Sequence, residues 1–569
     1  MTHGRRRRHR RGRVRAALIT LAAVSVLATM WSEFPAIGHG SASTSAPVGP
    51  ARSVTTRSVR PNIVVVMADD MRTDDLRFMP AVRGLLRDKG LEFRNSFSPY
   101  PLCCPARASF LTGRYAHNHH VYSHLAPWGF GAFDDSRTLA TSLQDSGYNT
   151  GFIGKYLNGY GAQPSLVTGR SSFRYVPPGW TDWYGAVSRP PNSGYSGGPY
   201  NYFHTLFNIN GRIDDSYRGR YQTPVLGEFA RTLVAKYHAD DKPFFLYVSS
   251  VAPHFGVRRE ADDPRPVHQA DGSTLNIVTP ARPRWVRGRF DSLVGRAAGK
   301  PRDGSPSEAD VSDKPWKIRQ LPEPNAAEWA AVRESARQRA EAEYVLDQQV
   351  TKLVAKLRET GEYDDTVFVF TSDNGYFLGE HRIPQGKIKP HEPSLRVPLL
   401  IAGHGIPHGV RFDPITTPGL TATITDLAGT TPPYPADGIS VVPSIRRGDL
   451  GWTVPVVTEG RENSVAFSGD YRTTIGIRTG RWKYVRYGDG SEELYDLDAD
   501  PNELHGLQHD PARQVVLDEL RKVWRTYKDC VGASCRAKLP SDLQRSAEQT
   551  ATGTRKQSRG VYARYGYWR

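Results

Sequence analysis

Apolar residues in this chain fall into short unbroken runs separated by long helical patterns. Asn62 to Ala68 is a continuous, mostly β-branched stretch, and Phe244 to Val248 and Val367 to Phe370 repeat the pattern. Runs of this length without alternation describe strands buried on both faces of a covered sheet. A further apolar run, Val397 to Ala402, predicts another strand, and a strand is also expected over Asn149 to Ile153. Between them, helical spacing is found over Phe78 to Asp88, Leu139 to Asp145, Gly227 to His238 and Ala326 to Arg358. Strands alternating with helices predict an α/β fold: a large, mostly parallel sheet with helices on both faces. Two stretches break the rhythm. Pro164 to Arg220 is dense in Gly, Pro, Tyr and Ser and predicts ordered loops over one face of the sheet, while Gly256 to Pro324 is polar and proline-rich and reads as an insertion. After Asp449 the pattern changes to short alternating strands at Thr473 to Ile477 and Trp482 to Tyr487, then a helix from Ala512 to Tyr527. That predicts a small α+β subdomain with an antiparallel sheet.

Charge changes this picture only at the start of the chain. The net charge of +17 over 569 residues invites a nucleic-acid reading, but eight arginines lie between Arg5 and Arg15, directly before the apolar run Ala16 to Ala28. A basic stretch feeding a short apolar one reads as a secretory leader, with an uncleaved signal anchor or a nucleic-acid arm as rivals. The expected partition is a leader over 1–43, a flexible linker over 44–60, a catalytic domain over 61–448, a C-terminal subdomain over 449–530 and a basic tail over 531–569. Export implies an extracytoplasmic protein with no nucleic-acid partner and no membrane contact beyond the leader. The four cysteines form two groups, the vicinal pair Cys103-Cys104 and the close pair Cys530 and Cys535. The second pair could close a small disulfide loop in an oxidising compartment.

Chemistry concentrates at the ends of the predicted strands. Asp69 and Asp70 follow the first buried run, and Asp373 and Asn374 follow the third. Ligands bind at the carboxyl ends of strands in open α/β sheets. Four hard oxygen donors there suit Ca²⁺, with Mg²⁺ the less favoured choice because it tolerates fewer protein oxygens. Either pair alone is also a common turn or cap; their shared position after buried strands is what points to a metal.

The stretch Cys103-x-Pro105-x-Arg107, with Leu111-Thr112-Gly113-Arg114 behind it, resembles the sulfatase family of the alkaline-phosphatase superfamily. A second signature of that family is matched at Gly147-Tyr148-x-Thr150-x-x-Ile153-Gly154-Lys155-Tyr156-Leu157. The likeness continues through Pro253-His254, Asp373-Asn374-Gly375, Gly386-Lys387, His391-Glu392 and Glu493 to Leu497, so it spans roughly residues 60 to 510. It implies an alkaline-phosphatase-like fold and a sulfuric ester hydrolase. It also implies that Cys103 is converted to formylglycine (3-oxoalanine) by a formylglycine-generating enzyme. The resemblance places Asp69, Asp70, Asp373, Asn374 and the modified Cys103 around the metal. Arg107 would hold the nucleophile, Lys155 and Lys387 would bind sulfate oxygens, and His254 would protonate the departing alcohol. Cys104 fills the variable position of the motif and is expected to pack as a small buried side chain. A hydrated aldehyde suits this reaction because one hydroxyl attacks sulfur and the other later expels sulfate, a step that a serine or thiol lacks.

One departure stands out. Many arylsulfatases have a histidine two residues after the lysine of the second signature, where this chain has Leu157 and Asn158. The block Arg114 to Val121 and Gly154-Lys155-Tyr156-Leu157-Asn158 lean instead toward the N-acetylglucosamine-6-sulfatase branch, implying a sulfated sugar or glycan as substrate. His117, His119, His120 and His381 are open between a ligand role and a structural one. Two other functions remain: a phosphomonoester or phosphodiester hydrolase on the same scaffold, and a polyanion-binding protein without turnover.

Overall fold

A computed structural model describes residues 60–567 apart from 258, 270, 271 and 463. The leader and all but the last residue of the linker lie outside the described residues. Seven strands come first: β1 (Asn62–Ala68), β2 (Leu91–Phe97), β3 (Asn149–Lys155), β4 (Asp182–Ala186), β5 (Phe207–Ile209), β6 (Arg212–Asp214) and β7 (Phe244–Ser249). A two-stranded ribbon, β8 (Val267–His268) and β9 (Thr274–Leu275), lies in the predicted insertion. Then follow β10 (Thr366–Ser372), β11 (Leu399–Gly403) and β12 (Gly409–Thr416). Apart from the ribbon these strands form one ten-stranded sheet in the order β12-β2-β11-β10-β1-β7-β3-β4-β5-β6. Its centre, from β10 across β1, β7 and β3 to β4, is wholly parallel. Antiparallel pairs occur toward the flanks, where β11 runs against β10 and β2, and β5 against β4 and β6.

The apolar runs behave as two-faced strands. Ile63, Val65 and Met67 point into one core with residues of the helices Cys103–Thr112, Leu139–Asp145 and Thr417–Leu427. Val64, Val66 and Ala68 point into the other, against Gln222–His238 and Ala326–Glu359. Successive side chains on a strand face opposite ways, so each run must be apolar throughout.

The expected helix over Phe78 to Asp88 is instead broken into a 3₁₀ turn (Thr73–Phe78), a short helix (Pro80–Val82) and a π turn (Arg83–Arg87). Pro80 has no amide proton to donate, and the Asp347 carboxylate, brought in by a distant helix, accepts from the amides of Ala81 (3.2 Å) and Val82 (2.7 Å). Strands β2 and β12 lie outside the predicted set, because β2 alternates polar with apolar residues and β12 carries a register shift between Arg411 and Pro414. So do β4, β5 and β6, which fall in the segment expected to form loops over one face and instead extend the large sheet at one edge; runs of 5, 3 and 3 residues set among Gly and Pro carry no strand pattern of their own.

The antiparallel sheet of the C-terminal part has four strands in sequence order, β13 (Val456–Gly460), β14 (Thr474–Arg478), β15 (Trp482–Tyr487) and β16 (Glu492–Asp496), covered by the helix Gln514–Tyr527. Cys530 and Cys535 are joined as a disulfide. The segment that reads as a basic tail contains the helix Ala547–Tyr565, which packs back onto the large sheet: Asn95 of β2 donates to Thr554 Oγ1 at 2.8 Å. Beyond it, the Tyr567 hydroxyl donates to Glu380 at 2.6 Å. Among the described residues no helix is long and apolar enough to cross a membrane.

Candidate active site

The parallel register sets the site. Ala68 pairs with Ser372, so the residues that follow, Asp69-Asp70 and Asp373-Asn374, leave neighbouring strands side by side. Gly154 of β3 pairs with Ser249 of β7, which brings Lys155 to the same edge. Asp70 adopts a left-handed backbone conformation (φ 67°), which Asp tolerates better than most residues. Its amide donates to Asp373 Oδ1 at 3.1 Å, and its carbonyl accepts from the Arg339 guanidinium.

Cys103 is the first residue of a wholly buried helix that ends at Gly113 in the left-handed region (φ 72°), a common helix stop. Arg107, one turn on, lies on the same face. Its Nε donates to Asp373 Oδ2 (2.9 Å), one terminal nitrogen to Asp69 Oδ2 (3.2 Å), and the other to the Lys155 carbonyl (2.9 Å) and to Ser249 Oγ. The planar fork of arginine serves four acceptors at once, which a lysine could not do.

Around Cys103 Sγ the spacing is close. Asp69 Oδ1 lies at 3.2 Å, Asp70 Oδ1 at 3.9 Å and Lys387 Nζ at 2.7 Å. Lys387 also pairs with Asp70, and Lys155 with Asp69. Lys155 Nζ sits 4.9 Å from the centre of the Tyr200 ring, a cation–π contact. Asn374 Nδ2 donates to Asp70 Oδ1 at 2.7 Å. His254 Nδ1–H donates to the Phe255 carbonyl (2.7 Å), which leaves Nε2 facing Asp70 Oδ2 at 3.7 Å. Eight of the nine sequence-derived residues, Asp69, Asp70, Cys103, Arg107, Lys155, His254, Asp373 and Asn374, are buried and converge here, and the ninth, Lys387, joins them from a loop.

Electrostatics follow from this crowding. Burial raises the Cys103 thiol well above its ordinary range, and the Asp69 carboxylate beside it adds to the effect. Burial opposes ionisation of Asp69 too, but Lys155, His254 and Arg107 together hold it well below the usual carboxylate range. Asp373 is pushed up to about 6 by burial and by Asp69. His254 is pushed down to about 4 by burial, against the pull of Asp69 and Asp70. Three carboxylates (Asp69, Asp70, Asp373) thus balance three fixed cations (Arg107, Lys155, Lys387) in one crowded, largely buried space.

The donor set fits a hard dication. Asp69, Asp70, Cys103 and His254 each offer a ligand atom within 4.8 Å of the others. Two buried oxygens, Asp70 Oδ2 and Asn374 Oδ1, have no hydrogen-bond partner, although buried polar atoms are nearly always satisfied. A dication would satisfy both and would turn a balanced site into one that attracts an anion.

Several contributors escape sequence reading. Ser249 ends a buried strand, as Asp69 and Asp373 nearly do, so the same strand-end rule could find it. Tyr200 and Arg339 come from a loop and a long helix without any local signal. His124 feels the same two lysines: partial burial, then Lys387 and Lys155, lower its affinity for a proton.

The open histidines each face partners within the protein. His117 donates from Nδ1 to Glu459 (2.7 Å) and from Nε2 to the Cys530 carbonyl (2.7 Å). His119 bonds Ser109 Oγ and accepts from the Val121 amide. His120 faces the Tyr122 hydroxyl at 3.4 Å, and His381 pairs with Glu308 at 2.8 Å. Cys104 is buried and joined to no other cysteine.

The comparisons with known proteins agree with this geometry. A family model described as Sulfatase matches residues 61–430, and one described as N-sulphoglucosamine sulphohydrolase, C-terminal, matches residues 379–529. The arylsulfatase of Volvox carteri is 29% identical over 516 residues, 84% of this chain and 76% of that protein. The N-acetylglucosamine-6-sulfatase of Homo sapiens is 28% identical over 523 residues, 84% of this chain and 86% of that protein. A solved structure of a protein in complex with its substrate D-glucosamine-2-N,6-O-disulfate shares the fold, with a TM-score of 0.59 at 20% identity over 83% of this chain and 99% of that one. The Cys103-x-Pro105-x-Arg107 motif, a strand-end carboxylate cluster and a family match across most of the folded chain converge on one assignment: this chain belongs to the sulfatase family of sulfuric ester hydrolases.

Proposed function

We propose that this protein hydrolyses sulfate monoesters of a sulfated sugar, such as the N-acetylglucosamine 6-sulfate units of a glycan, in an extracytoplasmic compartment. The observation that carries the reading is the placement of Cys103: first in a buried helix, between Asp69 and Lys387, with Arg107 and Lys155 both paired with Asp69. The human relative bears the name of that sugar sulfatase. The Cys530–Cys535 disulfide suits an oxidising compartment. The catalytic domain is taken as 61–448 and the C-terminal subdomain as 449–530.

In this reading Asp69, Asp70, Asp373, Asn374 and the modified residue 103 would hold Ca²⁺, which when bound draws electron density from the sulfate oxygens and favours ionisation of the nucleophile. A formylglycine at 103, made by a dedicated maturation enzyme, supplies the second hydroxyl that a thiol lacks. The chain's own residues do the rest. Lys155 and Lys387 neutralise sulfate oxygens from two directions in a dry site, where such charges act most strongly. Arg107 locks Asp69 and Asp373 in place and fixes the helix that carries residue 103. His254, with Nδ1 committed to Phe255, presents Nε2 to the departing oxygen; a bound anionic ester raises its pKa and so loads the proton it delivers.

The test is hydrolysis of glucosamine 6-sulfate beside matched aryl sulfate, aryl phosphate and phosphodiester substrates. The expected outcome is a clear preference for sulfate, lost by about a thousandfold or more in Cys103→Ala. A preference for phosphate would overturn the reading.

A further inference from the structure

Beside the nucleophile lies a group of side chains for which neither the metal cluster nor the sulfate site has a use. Leu102, which precedes Cys103, packs in one small apolar cluster with Tyr100, Ala116 and Tyr122, and Trp128 and Ile388, the latter following Lys387, pack against it. The Ile388 amide donates to the Pro101 carbonyl at 3.0 Å, which joins the two catalytic loops under this cluster. The C-terminal subdomain then adds two residues from the loop after β13. The Tyr471 ring lies 4.1 Å from that of Trp128 and 5.8 Å from that of Tyr122. The Arg461 guanidinium stands 5.2 Å from the centre of Trp128 and 5.9 Å from that of Tyr471, and one terminal nitrogen donates to the Tyr471 carbonyl at 2.6 Å.

Two features of this platform call for a ligand. Tyr471 is 49% exposed although it sits on an aromatic partner, so an aromatic surface faces solvent. Arg461 makes no ion pair with any described carboxylate, whereas its neighbour Glu462 is taken by Lys389 (2.8 Å) and Lys317 (3.3 Å). The other acids close by in sequence, Asp470 and Glu459, are taken by Arg472, so the guanidinium, oriented by a backbone carbonyl, keeps N–H groups for an outside anion. Aromatic rings offer a flat face to the C–H side of a pyranose, and an oriented arginine recognises carboxylate or sulfate through paired N–H groups.

We infer that Trp128, Tyr471 and Arg461 form a subsite for a second, anionic sugar ring joined to the one that carries the scissile sulfate. The inference rests on the sulfated-sugar reading above and deepens it: the substrate is an oligosaccharide whose neighbouring residue bears a carboxylate or a further sulfate. It also gives the C-terminal subdomain a direct part in recognition, because two of the three residues belong to it.

The test measures binding to Cys103→Ala protein by calorimetry, using glucosamine 6-sulfate and the disaccharide in which it is linked to glucuronic acid. Loss of one stacking or charge contact is expected to weaken disaccharide binding about tenfold more than monosaccharide binding. Both Tyr471→Ala and Arg461→Gln should show this difference, and kcat/KM of the same substitutions in the otherwise unmodified enzyme should follow it. Equal affinity of the starting protein for the two sugars, or equal losses on both, overturns the subsite and leaves the sulfatase reading standing. Binding and hydrolysis of neither sugar, with turnover of an aryl phosphate, overturns both.

Discussion

Arg107 shows at the scale of one residue how the site depends on geometry as well as charge. Its guanidinium joins two carboxylates, a strand-end carbonyl and Ser249, all buried. Arg107→Lys keeps the charge but can satisfy at most part of this set. The expected outcome is a loss of stability of about 3 kcal/mol or more, seen in denaturant unfolding, together with a fall in kcat/KM of about a hundredfold. Lys155→Met removes the partner of Asp69 and the proposed sulfate contact at once, so kcat should fall by about a hundredfold or more with KM less affected, read from steady-state kinetics on an aryl sulfate. Both residues are legible in the amino-acid sequence because each sits at a fixed offset in a motif or at a strand end. Tyr200 is not: it touches Lys155 from a loop whose composition says only that it turns often. Nor can His117 be assigned from its neighbours in sequence, since its two partners lie more than three hundred residues away in the chain.

At the scale of the element, strand β3 and the clamp at His117 carry the clearest consequences. Gly154 has φ 101°, and a Cβ there would meet the Ser249 carbonyl oxygen at 2.0 Å. Only glycine lets β3 approach β7 closely enough to aim Lys155 at Asp69. Gly154→Ala should therefore destabilise the fold by about 2 to 4 kcal/mol and lower activity of whatever folds, measured by thermal unfolding and turnover on the same preparation. The clamp is a pH-dependent feature. Burial opposes charge on both partners, but Glu459 raises the His117 pKa while His117 and Arg472 hold Glu459 down to about 2. A raised histidine stabilises fully below its unfolded value of 6.5 and loses that contribution as pH rises through the folded value. A lowered glutamate stabilises above its unfolded value of 4.5 and loses that contribution as pH falls through about 2. The clamp is strongest between those two unfolded values, so His117→Gln should lower the unfolding temperature more at pH 6 than at pH 9. An equal effect at both would show that His117 is uncharged in the native state. The buried runs of β1, β7 and β10 can be read from hydrophobicity alone, whereas β2 and β12 cannot, because alternation and a bulge resemble loop sequence until a partner strand is known.

Over the whole molecule, the C-terminal segments are fastened to the loop that follows β10. Tyr567 donates to Glu380, its ring lies 4.8 Å from the Arg72 guanidinium, and Arg72 in turn pairs with Glu380 at 2.9 Å two residues after Asp70. Tyr567→Phe leaves a buried carboxylate oxygen short of one donor. It should cost about 1 to 3 kcal/mol in denaturant unfolding, with a measurable loss of turnover because Arg72, two residues after Asp70, bonds both Glu380 and the Tyr376 carbonyl just beyond Asn374. The pattern of apolar positions places the large sheet and the small antiparallel one, and composition marks residues 531–569 as polar and basic. Neither shows that this last segment folds back, since four of the six buried positions of the helix Ala547–Tyr565 are Thr, Gly or Gln (Thr550, Gly553, Thr554 and Gln557) and only Val561 and Tyr565 are apolar. That helix is held by tertiary contacts, which local composition does not record.

The central claim is that Cys103 is a converted nucleophile and not a thiol. The most direct measurement is the mass of the proteolytic peptide spanning Cys103, taken from enzyme whose sulfatase turnover has been recorded. The account predicts an aldehyde or its hydrate at position 103, with the converted fraction tracking activity across preparations. Fully active enzyme carrying only the unmodified cysteine would contradict it.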